Sequence, residues 1–358
     1  MNKSTVGVGV IGAGAIGSLH CRNLAQRTPG AHVVAVMDID RERAEAVAAE
    51  CGGARAYTDA SALIAADDVE AVLIAAPCAT HAELTLACIQ AGKPVLCEKP
   101  LAATKADAER VLQAEIAGGR RLVQVGLMRE YDPAHKDLVG LLARGEIGRP
   151  LRFRGVHTNM TLGYDRTVEH VIVNSVVHDI HSARWIMGDE IASVYVQWVS
   201  AEAVSAEAVS AEAVSAKAVP AHREQPGTCR YVIAQLAFRN GTLGTIEFND
   251  DSDYGYEVQV EITGETGSAC TALGSSPTLR RSGTLSQTID RHWADRFATA
   301  YLDEVQAWTH SILAQEPTGP SAWDGYMSLV VADACIRSAE SGQPQEVPVV
   351  PRPVLYAR

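Results

Sequence analysis

The sequence predicts an α/β protein of two domains, a doubly wound parallel sheet first and then an α+β domain built on an antiparallel sheet. Three observations predict it. Up to about residue 125, short apolar runs alternate with helical patterns, which implies parallel strands joined by crossover helices. Beyond Gly148-Arg149-Pro150 the apolar residues recur with period two, between turns such as Asn240-Gly241, as in antiparallel strands. At 358 residues, 47% of them hydrophobic, the chain can build two cores.

Val6 to Ile11 reads as a buried strand that runs into Gly12-Ala13-Gly14-Ala15-Ile16-Gly17 and then into a helical pattern. This is G-x-G-x-x-G in its strand-turn-helix setting. The glycines allow the tight turn, close backbone approach to a pyrophosphate and close helix packing, while the helix N-terminus offers N–H groups to the phosphates. A second strand, His32 to Met37, ends in Asp38, at the offset of about 20 residues expected of the acid that binds a ribose 2′-hydroxyl. That carboxylate would repel a 2′-phosphate, so NAD is expected rather than NADP, with Arg41 and Arg43 as the opposing charges. The first domain is therefore expected to be a Rossmann sheet.

The alternation continues through an amphipathic stretch from Arg41 to Cys51, a strand Ala71 to Ala76, a helix Thr80 to Gln90 and a strand Pro94 to Cys97. A helix Lys105 to Gly118, a strand Leu122 to Val125 and a helix Pro133 to Arg144 complete it. Strands are then expected at Val194 to Val199, Arg230 to Phe238, Leu243 to Phe248 and Glu257 to Thr263, and helices at Ala294 to Leu313 and Trp323 to Glu340. The Pro-rich run Pro348 to Pro353 reads as extended. The expected domains are 1–125 for the dinucleotide, 126–340 for substrate binding and oligomerisation, and 341–358 as a tail.

Within 199–220 the pentad Ala-Val-Ser-Ala-Glu repeats almost without change. Five residues advance about 500° on a helix, so the valines form no stripe and the segment reads as an expanded loop between strands. The net charge of −12, with no Lys/Arg-rich block, excludes a nucleic-acid surface. Eight scattered cysteines without a C-x-x-C pair read as reduced, buried thiols, and no apolar run approaches 18 residues. The short N-terminal lead into the first strand leaves no room for a signal sequence, so a cytoplasmic protein without membrane contact is expected.

Two segments carry chemistry. Cys97-Glu98-Lys99-Pro100-Leu101-Ala102 follows an apolar strand and places the Lys99 cation at the strand's end, facing whatever the cofactor oxidises or reduces. Val168 to Trp185 has helical spacing, with Asn174, His178 and His181 at i, i+4 and i+7 on one face. An imidazole takes a proton near neutral pH, which makes His178 the candidate base, with a satisfied core histidine as the competing reading. A metal at His157, His178, Asp179 and His181 is disfavoured, because i and i+1 diverge on a helix and no H-E-x-x-H pattern is present; no metal is expected.

Gly12 to Gly17, the Cys97 to Ala102 segment and Val177-His178-Asp179-Ile180-His181 stand in the order found in the Gfo/Idh/MocA family of oxidoreductases, which the chain resembles. Leu122 to Arg129, Tyr254-Gly255-Tyr256, Trp293 to Tyr301 and Gly319 to Tyr326 are further similar to inositol 2-dehydrogenases. The resemblance spans nearly the whole chain apart from the pentads. It implies a large, mostly antiparallel second sheet, through which a homotetramer or homodimer would assemble. It implies that Lys99 binds the reacting hydroxyl and passes protons, that His178 is the general base, and that Arg129, His157, Asn159, Asn174 and Tyr254 line a polyol or sugar site. Ala76, Pro77, His81 and Glu98, with Lys99, would hold the nicotinamide side. The implied reaction is secondary alcohol plus NAD⁺ to ketone plus NADH.

Two positions depart from the pattern. Asn174 stands where these dehydrogenases carry Asp, and a neutral amide orients a ring without raising its basicity, so a weaker base is expected. The run Asn249-Asp250-Asp251-Ser252-Asp253 before Tyr254 is unusually acidic and suggests an aminocyclitol or amino-sugar substrate, against the plainer reading of a solvated turn. Glycoside cleavage through transient oxidation and a non-catalytic NAD-binding regulator are the competing functions.

Overall fold

A computed structural model describes residues 4–160, 166–201, 227–271 and 278–357. Most of the pentad repeat, from residue 202 onward, lies outside the described residues. The chain divides into two compact units, Met1–Asp132 with Ala298–Leu329 and Val350–Arg358, and Pro133–Phe297 with Val330–Val349.

The first unit opens with strands β1 (Val6–Ile11), β2 (Ala31–Met37), β3 (Arg55–Tyr57), β4 (Ala71–Ile74), β5 (Val95–Glu98) and β6 (Val123–Gly126). They alternate with helices α1 (Ala15–Arg27), α2 (Arg41–Glu50), α3 (Ala60–Ala65), α4 (His81–Gln90) and α5 (Lys105–Gly118). All strand pairs are parallel, in the order β3-β2-β1-β4-β5-β6. Strands β1, β4, β5 and β6 are buried throughout, as expected of unbroken apolar runs with both faces covered. Side chains set the helix starts: Asp40 accepts the Glu42 and Arg43 N–H groups, Asp59 those of Ser61 and Ala62, and Thr104 that of Asp107. Strand order reverses between β1 and β4, so the carboxyl ends of these strands form the switch point where such sheets bind ligands.

The second unit carries helices α6 (Pro133–Ala143), α7 (Val168–Val171), α8 (Val177–Met187) and α9 (Trp293–Arg296). Its strands are β7 (Pro150–Thr158), β8 (Ile191–Ser200), β9 (Cys229–Phe238), β10 (Leu243–Asn249), β11 (Glu257–Gly264), β12 (Ser268–Cys270) and β15 (Gln345–Glu346), in the order β12-β11-β7-β10-β9-β8-β15. A separate hairpin pairs β13 (Thr278–Arg281) with β14 (Thr284–Gln287). The sheet is antiparallel except for β7 beside β10. The sequence reading places no strand over 150–158, although Phe153, Gly155 and His157 alternate inward there. Helix α8 packs on β7 and β10 and covers the inward face.

Two later helices, α10 (Ala298–Ala314) and α11 (Ala322–Ser341), follow. Helix α10 packs on α1, and its Val305 and Trp308 join Val6, Val8, Val10, Leu24, Leu73 and Leu96 in the core of the first unit. The C-terminal segment closes on the same unit: the Tyr356 hydroxyl donates to Glu115, whose carboxylate also accepts the Leu122 and Val123 N–H groups. The cysteines are all free, but Cys270 is exposed, because three-residue β12 is an edge strand that leaves it uncovered. Among the described residues no helix is long and apolar enough to cross a membrane.

Candidate active site

The glycine turn fits a dinucleotide by geometry. Gly12 has φ +96°, and a Cβ there would lie 2.4 Å from the Ala75 carbonyl oxygen; at Gly17 it would lie 1.9 Å from that of Gly12. These two glycines serve the fold. A Cβ at Gly14 would meet nothing within 4 Å, and α1, which starts at Ala15 and Ile16, has no side-chain cap on its first N–H groups. The open face and the uncapped helix end suit a pyrophosphate.

Asp38, 6% exposed, accepts the Ala13 N–H at 2.9 Å and the Asp40 N–H at 2.9 Å, tying the turn to the end of β2. Arg43 lies 3.5 Å from Asp38 and 3.4 Å from Asp40, and Arg41 lies 3.6 Å from Glu45. The two cations that opposed the NAD reading are thus paired with acids of this chain.

Lys99 follows β5 directly, is half-buried, and donates its backbone N–H to Glu98 Oε2 at 3.1 Å; the Lys99–Pro100 peptide is cis. A Cβ at Gly126 would lie 2.9 Å from Glu98 Oε2, so β6 must carry glycine beside this carboxylate. Ala76 and Pro77 leave β4 against the glycine turn, with the Ala76 N 2.8 Å from where a Gly12 Cβ would stand. His81, 1% exposed, sets one ring nitrogen 2.7 Å from the Pro100 carbonyl oxygen and the other 2.8 Å from that of Ala76. Arg129, 1% exposed, lies in the turn Met128–Tyr131 of the same unit.

A buried cluster that sequence reasoning missed stands behind Lys99. His20 Nε2 lies 2.7 Å from Glu98 Oε1, with the His20 ring edge-on to Tyr301 at 5.7 Å. Glu304 on α10 is fully buried, and its donor atom lies within 4.8 Å of those of His20 and Glu98. Burial first, then the Glu98 and Glu130 charges, push its carboxyl well above the usual range. Nothing local in the sequence relates Glu304 to Glu98; a glutamate on the inward face of an otherwise apolar helix is the available signal. Among the described residues this is the one group of three such donors close enough to share an ion, and His157, His178, Asp179 and His181 form none.

In the second unit, His157 Nδ1 on β7 lies 2.8 Å from Asp179 Oδ2 on α8, and both are buried. Phe248 and Tyr256 stand edge-on to the ring at 4.8 and 5.6 Å. The continuous helix expected over 168–185 is interrupted by a π turn, Ile172–Val176, between α7 and α8. His178 and His181 on regular α8 are buried, and Asn174 in the π turn is half-buried and donates its amide to the His170 carbonyl at 3.0 Å. Tyr254, 53% exposed, donates toward Thr158 Oγ1 at 3.1 Å and Glu257 Oε2 at 3.2 Å.

Asp250 and Asp251, two of the three carboxylates in the acidic run, are paired within this unit. Asp250 accepts Arg166 Nε at 2.7 Å and Asn159 Nδ2 at 3.3 Å, and Asp251 pairs with Arg230. Those arginines, brought to the end of β10 by β9 and the approach to α7, weaken the observation that suggested an amino-bearing substrate.

The NAD-binding Rossmann-fold model of the Gfo/Idh/MocA oxidoreductase family matches residues 6–127, and that family's C-terminal α/β domain matches 139–349. The inositol 2-dehydrogenase of Rubrobacter xylanophilus is 45% identical over 358 residues, 100% of this chain and 97% of that protein. That of Klebsiella pneumoniae is 40% identical, covering 98% and 99%. The structure of myo-inositol dehydrogenase from Lactobacillus casei with NAD(H) and myo-inositol superimposes with a TM-score of 0.87 at 31% identity, over 99% of this chain and 100% of that one. The chain is therefore an NAD-dependent oxidoreductase and belongs to the Gfo/Idh/MocA family.

Proposed function

We propose that this protein is a dehydrogenase that oxidises a secondary hydroxyl of an inositol-like cyclic polyol to a ketone. The observation that carries the reading is Lys99 at the carboxyl end of β5, the same end of the parallel sheet from which the glycine turn leaves β1, in a chain similar over its full length to inositol 2-dehydrogenases. NAD, when bound by Gly12 to Gly17 and Asp38, supplies the hydride acceptor. Lys99 binds the reacting oxygen as a cation and stabilises developing alkoxide, and His178 takes the proton. Arg129, His157, Asn159 and Tyr254 orient the remaining hydroxyls, with His157 fixed for that role by Asp179. Ala76, Pro77, His81, Glu98 and Lys99 hold the nicotinamide side. The proposed assembly is a homotetramer joined through the outward face of the seven-stranded sheet.

The test is NADH absorbance on mixing protein and NAD⁺ with myo-inositol, scyllo-inositol, glucose and several aminocyclitols, with Lys99→Met as control. Turnover of a neutral polyol that the control lacks is expected. Turnover restricted to the amines would replace this substrate class, and NAD binding without turnover would overturn the activity.

A further inference from the structure

His81 closes a contact that its neutral form cannot make. Its ring is buried at the first residue of α4, with Nδ1 2.7 Å from the Pro100 carbonyl oxygen and Nε2 2.8 Å from the Ala76 carbonyl oxygen. A carbonyl oxygen only accepts, so both ring nitrogens must donate, and only the imidazolium carries two N–H groups. Either neutral tautomer would set a nitrogen lone pair directly against an oxygen lone pair, at 2.7 or 2.8 Å, on a ring that is itself buried. We propose that His81 is held as an imidazolium whose two N–H groups staple the loop after β4 to the Lys99–Pro100 turn, making it the positioning residue for Lys99.

The two carbonyls belong to the segments that flank the crevice: Ala76 follows β4 beside the glycine turn, and Pro100 follows the residue whose cation binds the reacting oxygen. A charged donor makes hydrogen bonds roughly twice as strong as a neutral one, so one protonated ring joins two strand ends that share no ladder beyond β4 and β5. The titratable group that faces the ring from β5 is Cys97, whose Sγ lies 3.4 Å from the Glu98 carbonyl oxygen and 3.9 Å from that of Leu101. Burial opposes the charge, and the Cys97 sulfur together with the Pro100 and Ala76 carbonyls outweighs it, holding the group up to about 10.

The experiment is magic-angle-spinning NMR on the full chain labelled with ring ¹⁵N-histidine, the His81 signals being assigned by their loss in His81→Gln or their shift in Cys97→Ser. Two protonated nitrogens are expected, unchanged as the pH is raised from about 6 to about 9, while exposed histidines lose a proton near 6.5. One bare nitrogen at pH 8 overturns the proposal. In the kinetic arm, folded His81→Gln, or His81→Asn should the former not fold, is expected to lower kcat at least tenfold and to raise the NAD Kd by a smaller factor. An unchanged kcat overturns the positioning role. The kinetic arm rests on the proposed dehydrogenase activity and the spectrum does not: two protonated nitrogens without turnover of any polyol keep the imidazolium and overturn the activity.

Discussion

At the scale of single residues, burial decides which side chains hold protons. Glu304 and His81 both have folded-state values raised above their unfolded ones, so each binds a proton in the folded chain that it lacks when unfolded at higher pH. The stability they contribute is complete below the unfolded value and is lost as pH rises, for His81 from about 6.5 through about 10. Urea unfolding of the wild type is expected to show stability falling as pH rises, by up to about 1.4 kcal/mol per pH unit for each such proton, over that window for His81 and from the ordinary carboxyl range upward for Glu304. Glu304→Gln, which keeps a neutral polar side chain and removes the titration, should flatten that slope and overtake the wild type at alkaline pH. For the proposed chemistry, Lys99→Met is expected to lower kcat by about 10²–10⁴-fold with the NAD Kd changed only a few-fold. Asn174→Asp, placing a carboxylate one turn before His178, should move the acidic limb of the kcat/KM profile upward in pH.

Among the elements, the glycine turn separates demands of the fold from demands of the ligand. Gly14→Ala adds a methyl where nothing stands within 4 Å, so the chain should keep its Tm while its NAD Kd rises at least tenfold; Gly12→Ala, at φ +96° and against the Ala75 carbonyl, should fail to fold stably. The alternating half of the chain was legible because each buried parallel strand is a continuous apolar run bounded by turn residues, and β1 and α5 fall where their patterns place them. Short β3 and β12 carry too few residues to show any period, and β7 was missed although its inward residues alternate. The π turn was illegible, since one extra residue per turn leaves composition and apolar spacing almost unchanged. The same logic divides the site. Motif residues such as Gly12 to Gly17 and Lys99 were readable, whereas Glu304 and the Arg166–Asp250 pair depend on contacts that only the folded chain makes.

For the whole molecule, the outward face of the seven-stranded sheet presents Ile233 at 38% and Leu243 at 60% exposure among polar neighbours such as the Arg154–Glu247 pair at 2.9 Å. A homotetramer by light scattering is expected, and Ile233→Glu should reduce it to smaller species by placing an unpaired charge where a second copy buries its sheet. The cofactor-binding unit is itself discontinuous, drawing Val305 and Trp308 from α10 into its core and ending with Tyr356 on Glu115. This has a consequence during synthesis. A ribosome releases β1 long before α10, the helix that seals it, since most of the other unit lies between them, and the Tyr356 anchor comes later still. The nascent Rossmann half must therefore wait, partly uncovered, while residues 133–297 of the other unit are read. Stalled chains ending near residue 290 should bind NAD far more weakly than released ones, and should be the form that chaperones hold.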